Sequence, residues 1–136
     1  MIEIISGEKG KGKTKELLNK VTSATGNIVY LDKSQKHMYE LNNKIRLINV
    51  NDFLIDNCDE FLGFICGVIS QDHDLEEMYL DSFLTIASID SDELLNHAIQ
   101  KLDVISEKYN VKFILSVSKD ESKLTDIAKA KIVISL

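Results

Sequence analysis

The sequence predicts an α/β protein in which a mainly parallel sheet of about six strands lies between two layers of helices. Three observations support this fold class. Short apolar runs alternate along the chain with segments whose apolar residues recur at helical spacing. Strands that alternate with helices favour a parallel sheet covered on both faces. The length of 136 residues suits one domain, so residues 1–136 are predicted to form a single domain.

Three strands are predicted in the first half of the chain. In order, the elements are a strand over 2–5, a helix over 14–24, a strand over 28–31, a short polar helix from Ser34 to Leu41, a strand over 45–50 and a long helix over 51–70. Asn51 and Asp52 are the predicted cap of the long helix. Its predicted buried face consists of Leu54, Cys58, Phe61, Leu62, Ile65 and Ile69.

The second half continues the alternation. Its predicted elements are a strand over 77–80, a helix that starts at Ser91 and carries apolar residues to Ile105, a strand over 111–117, a short helix over 121–129 and a last strand over 131–135. Ligands of such sheets bind at the carboxyl ends of the strands. Asp32, Asp81, Ser116, Ser118 and a glycine-rich segment after the first strand all fall at such ends, which predicts one shared site.

The glycine-rich segment carries the most specific motif of the chain. It consists of Gly7, Glu8, Lys9, Gly10, Lys11, Gly12, Lys13 and Thr14. This run fits G-x-x-x-x-G-K-[ST], the phosphate-binding loop or Walker A motif, and it lies between a predicted strand and a predicted helix, as the motif requires. Gly7 and Gly12 permit backbone conformations and close approaches that a Cβ would hinder. The amides from Glu8 to Thr14 can then surround a β-phosphate.

The remaining side chains of the motif predict a site for Mg·ATP. Lys13 would reach the β- and γ-phosphates, and the hydroxyl of Thr14 would ligate Mg²⁺. The start of a helix at Lys13 adds partial positive charge. Lys9 and Lys11 stand at variable positions of the motif and would raise the local positive potential.

An acidic residue at a strand end should accompany such a loop, because the Mg²⁺ shell needs a carboxylate. The run Met78-Tyr79-Leu80-Asp81 fits this second signature, Walker B, and makes Asp81 the predicted metal residue with Thr14. Asp32, which follows the run 28–31, competes for this role. It is better suited to orienting a water molecule or simply to ending its strand. Asp32, Asp81 and Ser116 are therefore the candidate catalytic residues.

On these motifs the chain resembles P-loop NTPases, and within them the RecA-like branch. A polar-ended strand after the acidic one, with Ser116 and Ser118, and a helical insertion between strands three and four carry the resemblance. It implies the strand order last, first, fifth, fourth, second, third, and a strand end near Ser116 that senses the γ-phosphate. The loop and the segment from Asp81 onward are also similar to cob(I)alamin adenosyltransferases, which implies an ATP-dependent adenosyltransferase as one alternative.

Two departures from the RecA-like pattern predict slow catalysis. Many members of that branch carry Glu directly after the strand-ending Asp, and here Ser82 occupies that position. Others take this Glu from the second strand end, where this chain has Asp32, Lys33 and Ser34, so no base for hydrolysis is evident. A nucleotide kinase is disfavoured because Arg46 is the single arginine of the chain and cannot form the arginine lid with which such kinases clamp phosphates. A GTPase is disfavoured because the chain lacks the N-K-x-D run that reads guanine.

Two classes of function follow. The chain is either an ATPase or ATP-dependent enzyme subunit completed by a neighbouring protein, or a module that senses nucleotide with little turnover. Helix 51–70 has more apolar residues than one buried stripe needs. Phe53, Phe61, Phe64 and Val68 are therefore predicted either to be buried within the monomer or to form an interface with a second copy or another protein.

Composition restricts the partners and the cellular location that can be expected for this chain. The net charge of −6 disfavours nucleic acid as a partner. No apolar run approaches the roughly 18 residues of a membrane span. The first residues do not resemble a signal peptide, and two cysteines at unsuitable spacing for a metal or disulfide indicate reduced thiols, so a cytoplasmic location is expected. Richness in Lys, Ile and Asn suggests an AT-rich, bacterial genome.

Overall fold

The computed structural model describes all residues from 1 to 136. Its six strands are β1 (Ile2–Ser6), β2 (Ile28–Asp32), β3 (Arg46–Asn49), β4 (Glu77–Leu80), β5 (Lys112–Val117) and β6 (Ile132–Ser135). Its α-helices are α1 (Lys13–Ser23), α2 (Cys58–Ser70), α3 (Phe83–Ile86), α4 (Asp92–Tyr109) and α5 (Asp126–Lys129). Single 3₁₀ turns cover Met38–Glu40, Val50–Asp52 and Glu121–Lys123.

The six strands form one sheet in the order β3-β2-β4-β5-β1-β6, and every pair of neighbours is parallel. The predicted α/β fold with a parallel sheet of about six strands is confirmed. Read from β6, the observed order is last, first, fifth, fourth, second, third, which is the order expected above. Since all strands run the same way, their carboxyl ends meet at one edge, and the loops after β1, β2, β4 and β5 converge there.

Alternation of side chains gives the sheet two different apolar faces. The larger face packs against α2, α4 and α5 in a core of 28 buried residues. The smaller face packs against α1 in a core of 7 buried residues, namely Ile5, Leu17, Val21, Ile28, Tyr30, Tyr79 and Ile114. Side chains two positions beyond Tyr30, Tyr79 and Ile114 belong to this same α1 face. Those positions are Asp32, Asp81 and Ser116.

The predicted helix over 51–70 is wrong in its first part. The helix begins at Cys58, and the cap is Asn57, whose side chain accepts a hydrogen bond of 2.9 Å from the amide of Glu60. The Glu60 carboxylate accepts one of 2.7 Å from the amide of Asp56, so the two side chains satisfy amides at the helix start. Leu54, expected on the buried face, is 96% exposed, because it lies in the loop before this cap.

Three short helical segments also differ from the prediction. The polar helix expected over 34–41 is a single 3₁₀ turn at Met38–Glu40, and the helix expected over 121–129 is a 3₁₀ turn followed by α5, because Thr125 caps a new helix there. The short helix α3 was not expected at all. None of the helices combines the length and the apolar character needed to cross a bilayer.

Most of the additional apolar side chains of segment 51–70 are buried or partly buried within the monomer. Phe61 is fully buried, and Phe64 and Val68 pack partly buried against the larger core. Phe53 stays about half exposed (49%), with its ring centroid 5.1 Å from that of Phe64. The exposed apolar residues of this segment are therefore Phe53 and Leu54.

Candidate functional site

The glycine loop, residues 7–14, connects the carboxyl end of β1 to α1. Gly7 is buried, and its amide donates to the carbonyls of Val117 and Lys119 at 3.3 and 3.0 Å, which ties the loop to the end of β5. A Cβ on Gly7 would lie 3.0 Å from Cβ of Leu136, so the close approach expected at this glycine is present. The loop therefore leaves the sheet at a fixed point.

Two other glycines give the loop its curvature. Gly10 has a φ of +87° and Gly12 a φ of +96°, both in the left-handed region that side chains with a Cβ rarely adopt. Gly12 precedes α1 directly and carries no side chain that could cap it. The left-handed turn at Gly12 was expected from the motif, whereas the one at Gly10 was not.

The amides of this loop are largely free of protein acceptors. Among the backbone amides of residues 8–15, only that of Lys11 donates to a protein acceptor, the carbonyl of Glu8 at 3.3 Å. The others include the first three amides of α1, which a helix never satisfies internally. A group of unsatisfied N–H donors at a helix start is suited to an anion.

Lys13 crosses the glycine loop. Its ammonium donates to the carbonyl of Glu8 at 2.9 Å, and the residue is buried with 7% of its surface exposed. Burial lowers the pKa of Lys13, and the nearby carboxylate of Asp81 opposes that effect. Glu8 therefore takes part through its backbone carbonyl. Glu8, Lys9 and Lys11 are all exposed.

Asp81 lies at the centre of a network of hydroxyl groups. Its Oδ1 accepts hydrogen bonds from the hydroxyls of Ser116 at 2.8 Å and Thr14 at 3.2 Å, and its Oδ2 accepts one from the hydroxyl of Tyr30 at 2.7 Å. The amide of Ser82 donates to Ser116 Oγ at 2.8 Å and extends the network to the start of α3. The structure thus brings together Thr14, Asp81 and Ser116, all three expected at the site.

Asp32 lies at the same edge of the sheet but outside this network. It is buried, with 3% of its surface exposed; Oδ1 accepts from the amide of Lys33 at 2.7 Å, and Oδ2 has no partner. Burial, reinforced by the negative charge of Asp81, raises the pKa of Asp32. Asp32 contacts neither Thr14 nor Asp81 by a hydrogen bond, so its place differs from that of the central carboxylate.

A polar cleft of about 570 Å³ joins these groups. No apolar side chain lines it, and the lining residues are Lys9, Gly10, Gly12, Lys13, Thr14, Asp32, Lys33, Ser34, Lys36, His37, Asp81, Ser82, Thr85, Ser116 and Ser118. Its four lysines outnumber its two aspartates, and none of these lysines takes part in an ion pair. In a protein of net charge −6, this is a locally positive cleft.

A second, larger cleft of about 860 Å³ lies at the amino ends of the strands. Its lining includes four carboxylates, from Glu76, Glu77, Asp103 and Glu107, and a single lysine, Lys112. Such a lining repels phosphate groups. The cleft at the carboxyl ends is therefore the candidate site for an anion.

The chemistry of the donors decides whether a magnesium ion fits the site. No group of three or more His, Cys, Asp or Glu side chains is arranged to hold a metal. Mg²⁺, however, usually binds through one or two carboxylates together with phosphate oxygens and water. Thr14 and Asp81 offer two hard oxygens 3.2 Å apart beside the free amides, so these residues fit Mg²⁺ when it arrives with a phosphate ligand.

Arg46 lies at the opposite edge of the sheet. It begins β3, and its guanidinium pairs with Asp72, which precedes β4 and also accepts a hydrogen bond from the side chain of Asn27. All three residues are at the amino ends of strands. Arg46 therefore lies at the edge of the sheet opposite to the glycine loop of its own chain.

Sequence reasoning missed the contacts that Tyr30, Ser82 and His37 make in or beside this cleft. Tyr30 donates to Asp81, Ser82 donates through its amide, and half-buried His37 lines the cleft with Nδ1 2.9 Å from Oε2 of Glu40. Strand alternation could have found Tyr30, because it places Tyr30, Asp32, Tyr79 and Asp81 on one face. For His37 the sequence carries no such signal, since it lies in a loop.

Comparison with known proteins adds no family to this description. Neither protein-family models nor the sequences of curated proteins match the chain. The cleft therefore has to be interpreted from its own residues.

Proposed function

We propose that this protein binds Mg·ATP in the cleft at the carboxyl ends of the strands and is an ATPase or ATP-dependent enzyme subunit with slow intrinsic turnover. The observation that carries the proposal is the hydrogen bond between Thr14 and Asp81, beside a glycine loop in which most amides after Gly7 have no protein acceptor. Binding of Mg·ATP needs both a phosphate-binding loop and a carboxylate at a strand end, and the contact between Thr14 and Asp81 supports assigning these two roles. The family expected from the resemblance, RecA-like P-loop NTPases, belongs to the same proposal.

Each group has a distinct task in this proposal. The amides near Gly10, Lys11 and Gly12 hold the β-phosphate, and Lys13 leaves the carbonyl of Glu8 to contact the β- and γ-phosphate oxygens. Thr14 and Asp81 would hold Mg²⁺, which when bound neutralises charge on the β- and γ-oxygens. Because no apolar side chain lines the cleft, the adenine lies outside it, where the surrounding loops or a partner protein contact it.

The catalytic residues of the proposal are incomplete. Asp32, with an unpartnered carboxylate oxygen, is the group at the cleft best placed by burial to accept a proton from an attacking hydroxyl or water. Position 82, where a carboxylate would activate water, carries a serine whose amide is bound to Ser116. A homo-oligomer or another protein in the cytoplasm is proposed to complete the site.

One observation favours the second candidate, a nucleotide-sensing module. Ser82 has a φ of +57° and directly precedes α3, and its amide is connected through Ser116 to Asp81. A change at Asp81 on nucleotide binding can therefore reach α3 through two hydrogen bonds. Such a connection serves signalling without turnover.

Binding to a non-hydrolysable ATP analogue tests the proposal. Wild type, Lys13→Ala and the control Lys15→Ala are titrated calorimetrically with Mg²⁺ and analogue, since Lys15 is exposed and lies outside the cleft. A charge-assisted contact worth about 1.5–3 kcal/mol corresponds to a loss of roughly tenfold or more for Lys13→Ala. Lys15→Ala should bind as wild type does. Unchanged affinity in a folded Lys13→Ala protein would refute the assignment of residues 7–14 as a phosphate-binding loop. A parallel titration with a GTP analogue tests the preference for adenine.

A further inference from the structure

We propose that Tyr30 is a positioning residue of the metal site, whose buried phenol holds the Asp81 carboxylate in the orientation that presents Oδ1 to Thr14. This inference rests on the Mg·ATP site proposed above. It assigns a role to a residue that belongs to neither the glycine loop nor the acidic strand end.

The hydrogen bonds of Asp81 define the orientation of its carboxylate. Tyr30 is the only side chain that donates to Oδ2, at 2.7 Å, whereas Oδ1 accepts from Thr14 and Ser116. Rotation of the carboxylate about its Cβ–Cγ bond would break all three bonds. The Thr14 bond is the longest of the three, at 3.2 Å, so it would be the first to open if Thr14 and Asp81 took a ligand between them. The Tyr30 bond can persist through that change.

Packing makes Tyr30 a rigid donor. The residue is fully buried in the smaller core, next to Ile5, Leu17 and Ile114. Its ring stacks on that of Tyr79, with centroids 6.0 Å apart and planes 9° apart, and the two residues are partners in the β2–β4 register. A buried group in a close-packed core keeps one rotamer, so the hydroxyl of Tyr30 is held at a fixed place.

Tyr79 provides a matched comparison. It is the residue on which Tyr30 stacks, and it is nearly as buried, but its hydroxyl donates to Glu77 at 2.9 Å, away from Asp81. Removal of either hydroxyl takes one buried oxygen from the same core. Only the removal at Tyr30 takes a donor from the Asp81 carboxylate.

The variants Tyr30→Phe and Tyr79→Phe separate positioning from packing. The affinity for a non-hydrolysable ATP analogue is measured over a range of free Mg²⁺ concentrations, and again with the metal chelated. Residues that orient metal ligands typically change metal affinity by about 10–100-fold when they are lost. The free Mg²⁺ concentration that gives half of the metal-dependent gain in analogue affinity should therefore be at least about tenfold higher for Tyr30→Phe than for wild type. Tyr79→Phe should follow wild type, and all three should bind equally without metal.

Two results would overturn the inference: an unchanged Mg²⁺ requirement in Tyr30→Phe, or equal shifts in both tyrosine variants. The Lys13→Ala titration keeps the two proposals apart. If Lys13→Ala binds as wild type does, the Mg·ATP site itself is refuted. If Lys13→Ala loses affinity while Tyr30→Phe keeps its metal dependence, only the role of Tyr30 is wrong.

A measurement on the wild-type protein covers the case in which Tyr30→Phe does not fold. The hydroxyl proton of Tyr30 is buried and hydrogen-bonded, so it should exchange slowly with water and give its own proton resonance in NMR spectra. This resonance should persist when Mg²⁺ and the analogue bind, because the bond to Oδ2 is retained. Its loss on binding, with other core resonances unchanged, would contradict the positioning role.

Discussion

The hydroxyl of Thr14 donates to Oδ1 of Asp81 across 3.2 Å, although 67 positions of sequence separate the two residues. Thr14 is the second residue of α1, and Asp81 directly follows β4. The parallel sheet brings them together, because β1 and β4 both pair with β5 and end at the same edge. This pair of oxygens is the part of the cleft on which the proposed binding of Mg²⁺ relies.

The first prediction compares the two buried aspartates of the cleft. Asp81→Asn replaces a charged oxygen pair beside Thr14 with a neutral amide, so the gain in ATP-analogue affinity on addition of Mg²⁺ should fall by about tenfold or more. Asp32→Asn should reduce this gain much less, because Asp32 has no hydrogen bond to Thr14 or Asp81. Titrations with and without Mg²⁺ measure the effect. The opposite ranking of the two folded variants would transfer the metal role to Asp32.

The second prediction concerns the backbone of the glycine loop. Gly12 has a φ of +96° with open space around it, so an added Cβ meets no atom within 4 Å and acts only through the backbone conformation. A left-handed conformation costs a residue with a Cβ about 1–2 kcal/mol. Gly12→Ala should lower the free energy of unfolding by about this amount, or shift the loop and weaken binding of the ATP analogue.

Gly63→Ala is the control for this loop variant. Gly63 lies in the middle of α2, is exposed and also has open space around it. Alanine at a helix interior is more favourable than glycine by about 0.5–1 kcal/mol, so Gly63→Ala should raise the free energy of unfolding in urea and leave binding unchanged. A Gly12→Ala protein with wild-type stability and affinity would show that the left-handed turn is not required.

Much of the fold could be predicted because it depends on local periodicity. The strands 2–5, 28–31 and 77–80 are short apolar runs, and their observed bounds differ from the predicted ones by one residue at most. The loop residues of the site could be predicted for a different reason. A motif with glycines at fixed positions reports backbone geometry directly, and Gly12 has the positive φ that the motif implies.

The start of α2 could not be predicted, because several residues before it are equally good helix caps. Asn51 and Asp52 are good helix caps, but so is Asn57, and the capping pair with Glu60 decides the outcome in favour of Asn57. The apolar pattern alone could not show this, because Leu54 stands four positions before Cys58 and continues the helical stripe. Tyr30 was missed because its role comes from a contact between strands rather than from a motif.

The third prediction links the stability of the protein to the charge of Asp32. Burial and the neighbouring Asp81 raise the pKa of Asp32 in the folded state. Between its usual pKa and this raised value, the folded protein holds more protons than the unfolded chain, so stability falls as the pH rises. The ionised side chain is thus destabilising at neutral pH, and a buried polar oxygen without a partner typically costs about 1–3 kcal/mol.

Asp32→Asn should therefore increase the free energy of unfolding at about pH 7, and the increase should shrink as the pH falls to about 4, near the usual carboxyl pKa. Urea unfolding at several pH values measures the difference. Asp90→Asn, a change at an exposed aspartate that lies outside the cleft, should show no such trend. A gain in stability that stays constant across this range, or no gain at all, would mean that the charge of Asp32 is not the destabilising factor.

The last prediction concerns the rate of ATP hydrolysis by the isolated chain. Phosphoryl transfer needs a group that orients the attacking water and a cation that stabilises the transition state, and an arginine supplied by a partner is worth about 10³–10⁵ in turnover. Position 82 carries a serine engaged with Ser116, and Arg46 is paired with Asp72 at the far edge of the sheet. A dilute, verified monomer should therefore bind ATP yet hydrolyse it at less than about 1 s⁻¹, the lower end of typical enzyme rates.

The release of phosphate from ATP measures this rate, with Lys13→Ala as the control. Turnover per chain should rise with protein concentration or with an added partner. Several turnovers per second from the monomer, abolished in Lys13→Ala, would instead show that one chain holds the whole catalytic set and that Asp32 suffices as its base.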